Sequence, residues 1–200
     1  MADGPTIGRR PAIGVPYQEA SKYTWTGFYG GGGVGIFSGL TGLEGIDEGF
    51  IEALDAGNWG YIGDVRVGYD YQFPGGILVL GAFAGYTFGE ASAVIGGIEA
   101  SLTPTWNIGG RVGITTWNSS LLYVGYKYSE AEINFGGAES TVAGHTALVG
   151  FELPLAQALT IGAEYGYTKY DDVNLGGGVV AEPEAHTIML RGNVRLGTWN

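Results

Sequence analysis

The sequence predicts an all-β protein, an eight-stranded antiparallel up-and-down transmembrane β-barrel. Three observations carry that expectation. Eight runs alternate with period 2, apolar on one face and glycine-rich on the other. The connections between the runs are alternately short and long. The 200 residues also include 39 Gly, 13 Tyr, 8 Phe and 5 Trp, yet only 14% are charged, where about 25% is usual for a chain that faces water.

The elements follow in order. Residues 1–24 hold Pro5, Pro11 and Pro16 without periodicity and read as an extended tail; residues 25–200 read as the barrel. The runs cover roughly 25–38, 60–73, 76–89, 102–117, 119–130, 143–154, 157–170 and 186–199. In the second, Val65, Val67, Tyr69, Tyr71 and Phe73 oppose Arg66, Gly68, Asp70 and Gln72. In the third, Leu78, Leu80, Ala82, Ala84, Tyr86 and Phe88 oppose Val79, Gly81, Phe83, Gly85 and Thr87. The fourth sets Trp106, Ile108, Val112 and Ile114 against Asn107, Gly109, Arg111 and Gly113. The fifth, seventh and eighth repeat the scheme, with Lys127, Glu164, Arg191 and Arg195 on the small-residue face. A soluble barrel reverses these faces, with an apolar inside and a densely charged outside. Here the apolar face suits lipid and the glycine-rich face a narrow lumen.

Short connections at Pro74-Gly75, near Asn118 and at Leu155-Ala156 alternate with segments of a dozen or more residues. Short periplasmic turns and long external loops are the outer-membrane arrangement. The expected location is therefore the bacterial outer membrane, with a periplasmic N-terminus. Pro74 and Pro154 fall at turns, Pro183 in a loop and Pro104 near an outer strand end, where a missing ladder donor costs least. Trp25, Trp117 and Trp199 at one end, and Trp59 and Trp106 at the other, resemble two aromatic girdles, although Trp25 and Trp199 have inward parity.

Other classes are excluded. No cysteine means no disulfide framework and no cysteine metal site. A sequence pI near 4.4 argues against nucleic acid. No run of about 20 apolar residues offers a transmembrane helix; the best window, Phe73 to Gly89, is broken by Pro74 and five glycines. Met1-Ala2-Asp3-Gly4-Pro5 has neither the basic flank nor the apolar stretch of a signal peptide, so an exported chain is expected here in mature form. No cofactor is implied. No metal site is indicated either, since no segment has the dense alternating acids of a calcium loop.

The net charge of −11 is unevenly spread. Tail and barrel runs are nearly neutral. Glu44, Asp47, Glu48, Glu52, Asp55, Asp171, Asp172, Glu182 and Glu184, with Glu90, Glu99, Glu130, Glu132 and Glu139, fall in the four long connections, where Lys169 is the only base. These acids are expected as external loops that stay solvated, facing lipopolysaccharide and water. Inside, Arg66, Asp70, Arg111, Lys127, Glu152, Glu164, Arg191 and Arg195 would share a lumen just wide enough to fill with side chains. Buried charges must pair, so a plugged lumen is expected, with a gated ion path as the alternative. The tail bases Arg9, Arg10 and Lys22 are expected to sit in a solvated linker.

Trp25-Thr26-Gly27-Phe28-Tyr29-Gly30-Gly31 closely resembles the W-T-G-F-Y-x-G opening of small alphaproteobacterial outer-membrane barrels, the porin-family surface antigens related to opacity and OmpA/OmpX-type barrels. Val67-Gly68-Tyr69-Asp70-Tyr71-Gln72-Phe73 resembles the I-G-Y-N-Y-Q-F of that family, and Gly110-Arg111-Val112-Gly113 its G-R-L-G. Ala163 to Thr168 looks like A-E-Y-R-Y-T, and His186-Thr187 with Arg191 to Leu196 resembles the closing H-T-x-R-x-G-L-N-Y-R-F. The resemblance spans about residues 25–196. It implies an eight-stranded barrel with surface-antigen or envelope-structural roles. Two places depart from the pattern. Leu196-Gly197-Thr198-Trp199-Asn200 replaces the usual terminal aromatic of the assembly signal, and Phe83 stands at a lumen position where relatives often carry an acid.

Four functions compete. A structural or surface barrel fits the pairing charges. A passive pore for small solutes needs an open lumen. An adhesin or assembly partner would use the apolar, glycine-rich segments Gly39–Leu43, Val94–Ile98 and Leu175–Val180 to touch a neighbouring barrel or surface protein. A lipid A enzyme needs a serine and an acid near His145 or His186. No serine lies two residues from either, so both histidines are expected to be interfacial and the protein not to be an enzyme.

Overall fold

The computed structural model describes residues 23–44, 58–95, 98–102, 105–116, 119–135, 138–171, 173–176 and 179–196. Ten strand segments form one sheet: β1 (Gly27–Glu44), β2 (Asn58–Gln72), β3 (Leu78–Ile95), β4 (Ile98–Leu102), β5 (Thr105–Thr115), β6 (Leu121–Phe135), β7 (Ala138–Pro154), β8 (Leu159–Tyr170), β9 (Val173–Gly176) and β10 (Val179–Leu196). The segments β4 and β5 share one stave between β3 and β6, and β8 and β9 share another beside β10. Eight antiparallel staves result. Pairing of β1 with β10, from Phe28↔Leu196 to Glu44↔Val180, closes them into a barrel. Among the described residues no helix is long and apolar enough to cross a membrane.

Alternation decides the faces. Phe28, Val67, Leu80, Ile108, Val124 and Leu190 stand exposed on the outside, while Tyr29, Arg66, Val79, Asn107, Tyr123 and Arg191 are buried within. Successive side chains of a strand point to opposite faces, so this one parity rule sorts apolar from polar around the wall. The inner face is otherwise largely glycine, and the space is used. A Cβ at Gly81 would collide with Asp70 and Arg111, and one at Gly109 with the Phe83 ring.

The short turns lie at one end, together with the chain entry at Tyr23–Thr26. Gly76 N–H donates to Phe73 O at 3.0 Å, and Gly75 has φ +67. Proline followed by a positive-φ glycine is the type II signature. At the next turn Thr116 N–H donates to Ser120 O at 2.8 Å and Ser119 takes φ 58. A non-glycine residue there pays about 1–2 kcal/mol. Replacing Ser119 with Gly is therefore expected to stabilise the protein by about 0.5–1 kcal/mol after the extra chain entropy of glycine. The urea midpoint of refolded protein checks it; an unchanged or lower midpoint contradicts it.

The opposite end differs from the expectation of long loops. Apart from residues 45–57, which lie outside the described set, the long connections are mostly strand. Ile95↔Ile98, Phe135↔Ala138 and Gly176↔Val179 are facing pairs, each separated in sequence by Gly-Gly. Gly-Gly between strands is a two-residue hairpin signal, so the ladder continues where the predicted runs stopped. Glu44, Glu90, Glu99, Glu130, Glu132, Glu139, Glu182 and Glu184 thus stand on strands, not loops. Pro183 also lies on β10, in register with Thr41, not in a loop. Among the described residues it has no partner on the side of β8 and β9, whose pairing with β10 skips that position, and a proline is tolerated at such a break.

Candidate functional site

The lumen holds the candidate site. Inward positions of β2, β5, β7, β8 and β10 bury four arginines, Arg66, Arg111, Arg191 and Arg195, with four carboxylates, Asp64, Asp70, Glu152 and Glu164. They fall into two clusters, each balanced in formal charge.

The cluster farther from the turns centres on Glu164. Arg66 donates to both its oxygens at 2.9 and 3.0 Å. Arg191 Nε donates to Oε1 at 3.1 Å, and the Tyr123 hydroxyl to Oε2 at 2.8 Å. The remaining Arg191 nitrogens form a fork on Asp64, at 2.9 and 2.5 Å. The cluster near the turns centres on Asp70 and Glu152. Arg111 donates to Asp70 at 3.0 and 2.6 Å and to Glu152 at 3.0 Å. Arg195 donates to Asp70 and to the Trp25 carbonyl. Glu152 also accepts from Thr160 and Asn193. Charge-assisted, two-pronged bonds of this kind are the strong ones.

Aromatic rings separate and floor the charges. Tyr29, Phe83 and Leu148 form one buried group. The Arg66 guanidinium lies 4.0 Å from the Phe83 ring centre, and Arg111 lies 4.8 Å from that of Tyr29. Phe83 thus meets a cation with its ring face. At the turn end Trp25, Val79, Leu121 and Tyr123 pack together with Tyr23 against them. Burial there pushes the Tyr23 phenol up to about 12.

Toward the other end a cavity of about 80 Å³ opens above the Glu164 cluster. Lys127, Arg191, Asp64 and Glu164 line it with the hydroxyls of Thr87, Thr105, Ser129, Thr146, Thr168 and Thr187. Lys127 faces the lumen as parity requires, but among the described residues it makes no ion pair within 4 Å.

The remaining sequence-derived residues distribute as follows. Trp59 and Trp106 stand exposed on the outer face. Trp25 departs from the girdle: it is fully buried inside, its Nε1 donates to Ser119 O at 2.9 Å, and Arg195 lies 4.2 Å over its ring. Its position before β1, packed on Val79, Leu121 and Tyr123 at the turn end, turns it into a floor. Trp117, Trp199, Asp47, Glu48, Glu52, Asp55 and Asp172 lie outside the described residues, as does the tail up to Lys22. Asp171 follows β8, 3.9 Å from His145 Nε2. The two histidines repeat one arrangement near the far end of the barrel. His145 Nδ1 hydrogen bonds Tyr126 and packs on Tyr128; His186 Nδ1 hydrogen bonds Tyr165 and packs on Tyr167.

Sequence reading missed Asp64, although it shares parity with Arg66 two residues on. It also missed the roles of Tyr123, Thr160 and Asn193 as donors to lumen carboxylates. Their inward parity was the available signal.

A family model, the outer membrane protein beta-barrel domain, matches residues 11–190. Among solved structures the chain is similar to Neisserial surface protein A, with a TM-score of 0.58 and 16% identity over 86% of this chain and 98% of that one. It is also similar to Ail, the attachment invasion locus protein of Yersinia pestis, with a TM-score of 0.47 and 15% identity over 86% and 99%. OprG from Pseudomonas aeruginosa gives a TM-score of 0.42 and 10% identity over 87% and 97%. At these identities the likeness concerns the fold. No curated protein sequence matches the chain.

Proposed function

Because the chain belongs to the outer membrane β-barrel family, we propose that it serves the bacterial outer membrane as a closed structural and surface barrel. In this reading the turn end and the N-terminus face the periplasm. The acidic end faces outward, toward lipopolysaccharide and possible neighbours in the surface layer. The protein carries out no reaction of its own.

One observation carries the reading. Among the described residues, the four buried arginines and four buried carboxylates pair with one another across the lumen. A water-filled path through that layer needs these pairs parted, and breaking a buried pair costs about 3–5 kcal/mol. Below the layer, the Trp25 floor adds an apolar barrier. An eight-stranded barrel has just the width for such a filling.

Planar-bilayer recording of refolded protein tests it. The expected record is a quiet membrane, with at most brief, small openings. A steady, large current through single molecules overturns the closed reading and favours a passive pore.

A further inference from the structure

Beyond the closed-barrel reading, we infer that the lumen cavity around Lys127 is a binding site for a small monovalent anion of halide size.

The argument begins with charge. Each lumen carboxylate is already engaged. Both oxygens of Asp64 accept from Arg191, and both oxygens of Glu164 accept from arginine, one of them also from Tyr123. Asp70 and Glu152 are taken by Arg111 and Arg195 in the other cluster. Among the described residues, four buried cations and four buried anions cancel, and Lys127 is a further cation on the inner wall. Lys127 is half-buried there, and a charge partly withdrawn from water without a counter-ion is destabilising. Its cross-strand neighbours on the inner face are Gly109 and Thr146, neither of which carries charge.

The cavity supplies what an anion needs. About 80 Å³ holds a halide-sized ion and a few waters. Thr87 Oγ1 accepts from Asn107 Nδ2 at 3.1 Å, which leaves its own proton to donate elsewhere. Thr105, Ser129 and Thr168 add hydroxyls from three further strands. The carboxylates on the cavity floor are neutralised by Arg66 and Arg191, so among the described residues the excess charge facing the space is that of Lys127. A neutral ligand leaves that charge unmatched, and a large anion does not fit.

The test follows unfolding of full-length refolded protein in micelles, in chloride and in gluconate at equal ionic strength. Gluconate is too large for the cavity. Above the dissociation constant, each tenfold rise in chloride is expected to raise the midpoint by roughly 3–5 °C. Gluconate is expected to leave it flat, and Lys127→Met to abolish the difference between the salts. Equal curves in both salts, or a chloride effect that survives Lys127→Met, overturn the site. Should Lys127→Met not fold, crystals of the unaltered protein soaked in bromide decide. An anomalous peak in the cavity beside Lys127 supports the site, and bromide only at the outer surface overturns it. Both readouts are independent of conductance, so the site and the closed-barrel reading fail separately.

Discussion

Glu164→Ala is expected to lower the unfolding free energy by about 3–5 kcal/mol. The carboxylate accepts two bonds from Arg66, one from Arg191 and one from Tyr123. Its removal leaves Arg66 with no carboxylate partner among the described residues, in a lumen where that side chain is buried. Arg191 keeps Asp64 and is less affected. Glu164→Gln is expected to fall between, since it keeps an acceptor for Tyr123 but loses the countercharge. Urea titration of refolded protein, followed by far-ultraviolet circular dichroism, measures the series. A loss under about 1 kcal/mol for Glu164→Ala would mean that water or side-chain rearrangement relieves Arg66, and that the lumen is wetter than its packing implies.

Trp25→Ala is the second large effect, again about 3–5 kcal/mol, through a different term. The indole is fully buried, and nothing at the turn end can collapse into its place without moving Val79, Leu121 or Tyr123. The change also strips the Arg195 guanidinium of its ring cover and leaves Ser119 O without the indole donor. Trp59→Ala supplies the contrast. Its ring is 70% exposed on the outer face, and the expected loss is about 0.5 kcal/mol or less. Equal losses for both tryptophans would remove the distinction between floor and wall.

Much of this architecture was legible in the sequence because a barrel wall obeys one rule. Parity alone placed Arg66, Asp70, Arg111, Glu152, Glu164, Arg191 and Arg195 on one face, and that face is the inside. Strand ends near the turns also came out within a few residues, since Pro74-Gly75 and Leu155-Ala156 punctuate them. The other end was misread because charge and glycine look like loop composition. Glu132, Asn134 and Glu139 flank Phe135 and Ala138 on a continuing ladder, and the Gly136-Gly137 signal was present but read as spacing. Which arginine takes which acid was not legible. Arg191 and Asp64 lie 127 positions apart, and only closure of the cylinder brings them together. Lys127 was legible as lumen-facing, but that it has no carboxylate partner among the described residues follows from how the arginines divide the acids.

The seam between β1 and β10 has a kinetic consequence. It joins the two ends of the chain, so its loop-closure entropy is the largest in the molecule and its contacts are the most non-local. β10, on one side of that seam, carries Arg191 and Arg195, the partners of Asp64 and Asp70 on β2. Until it docks, an open sheet in hydrocarbon has two bare edges as well as acids short of their countercharge. Zipping the seam removes both penalties in one event. A half-closed barrel therefore carries bare edges and unpaired acids together, and closing this one seam relieves both.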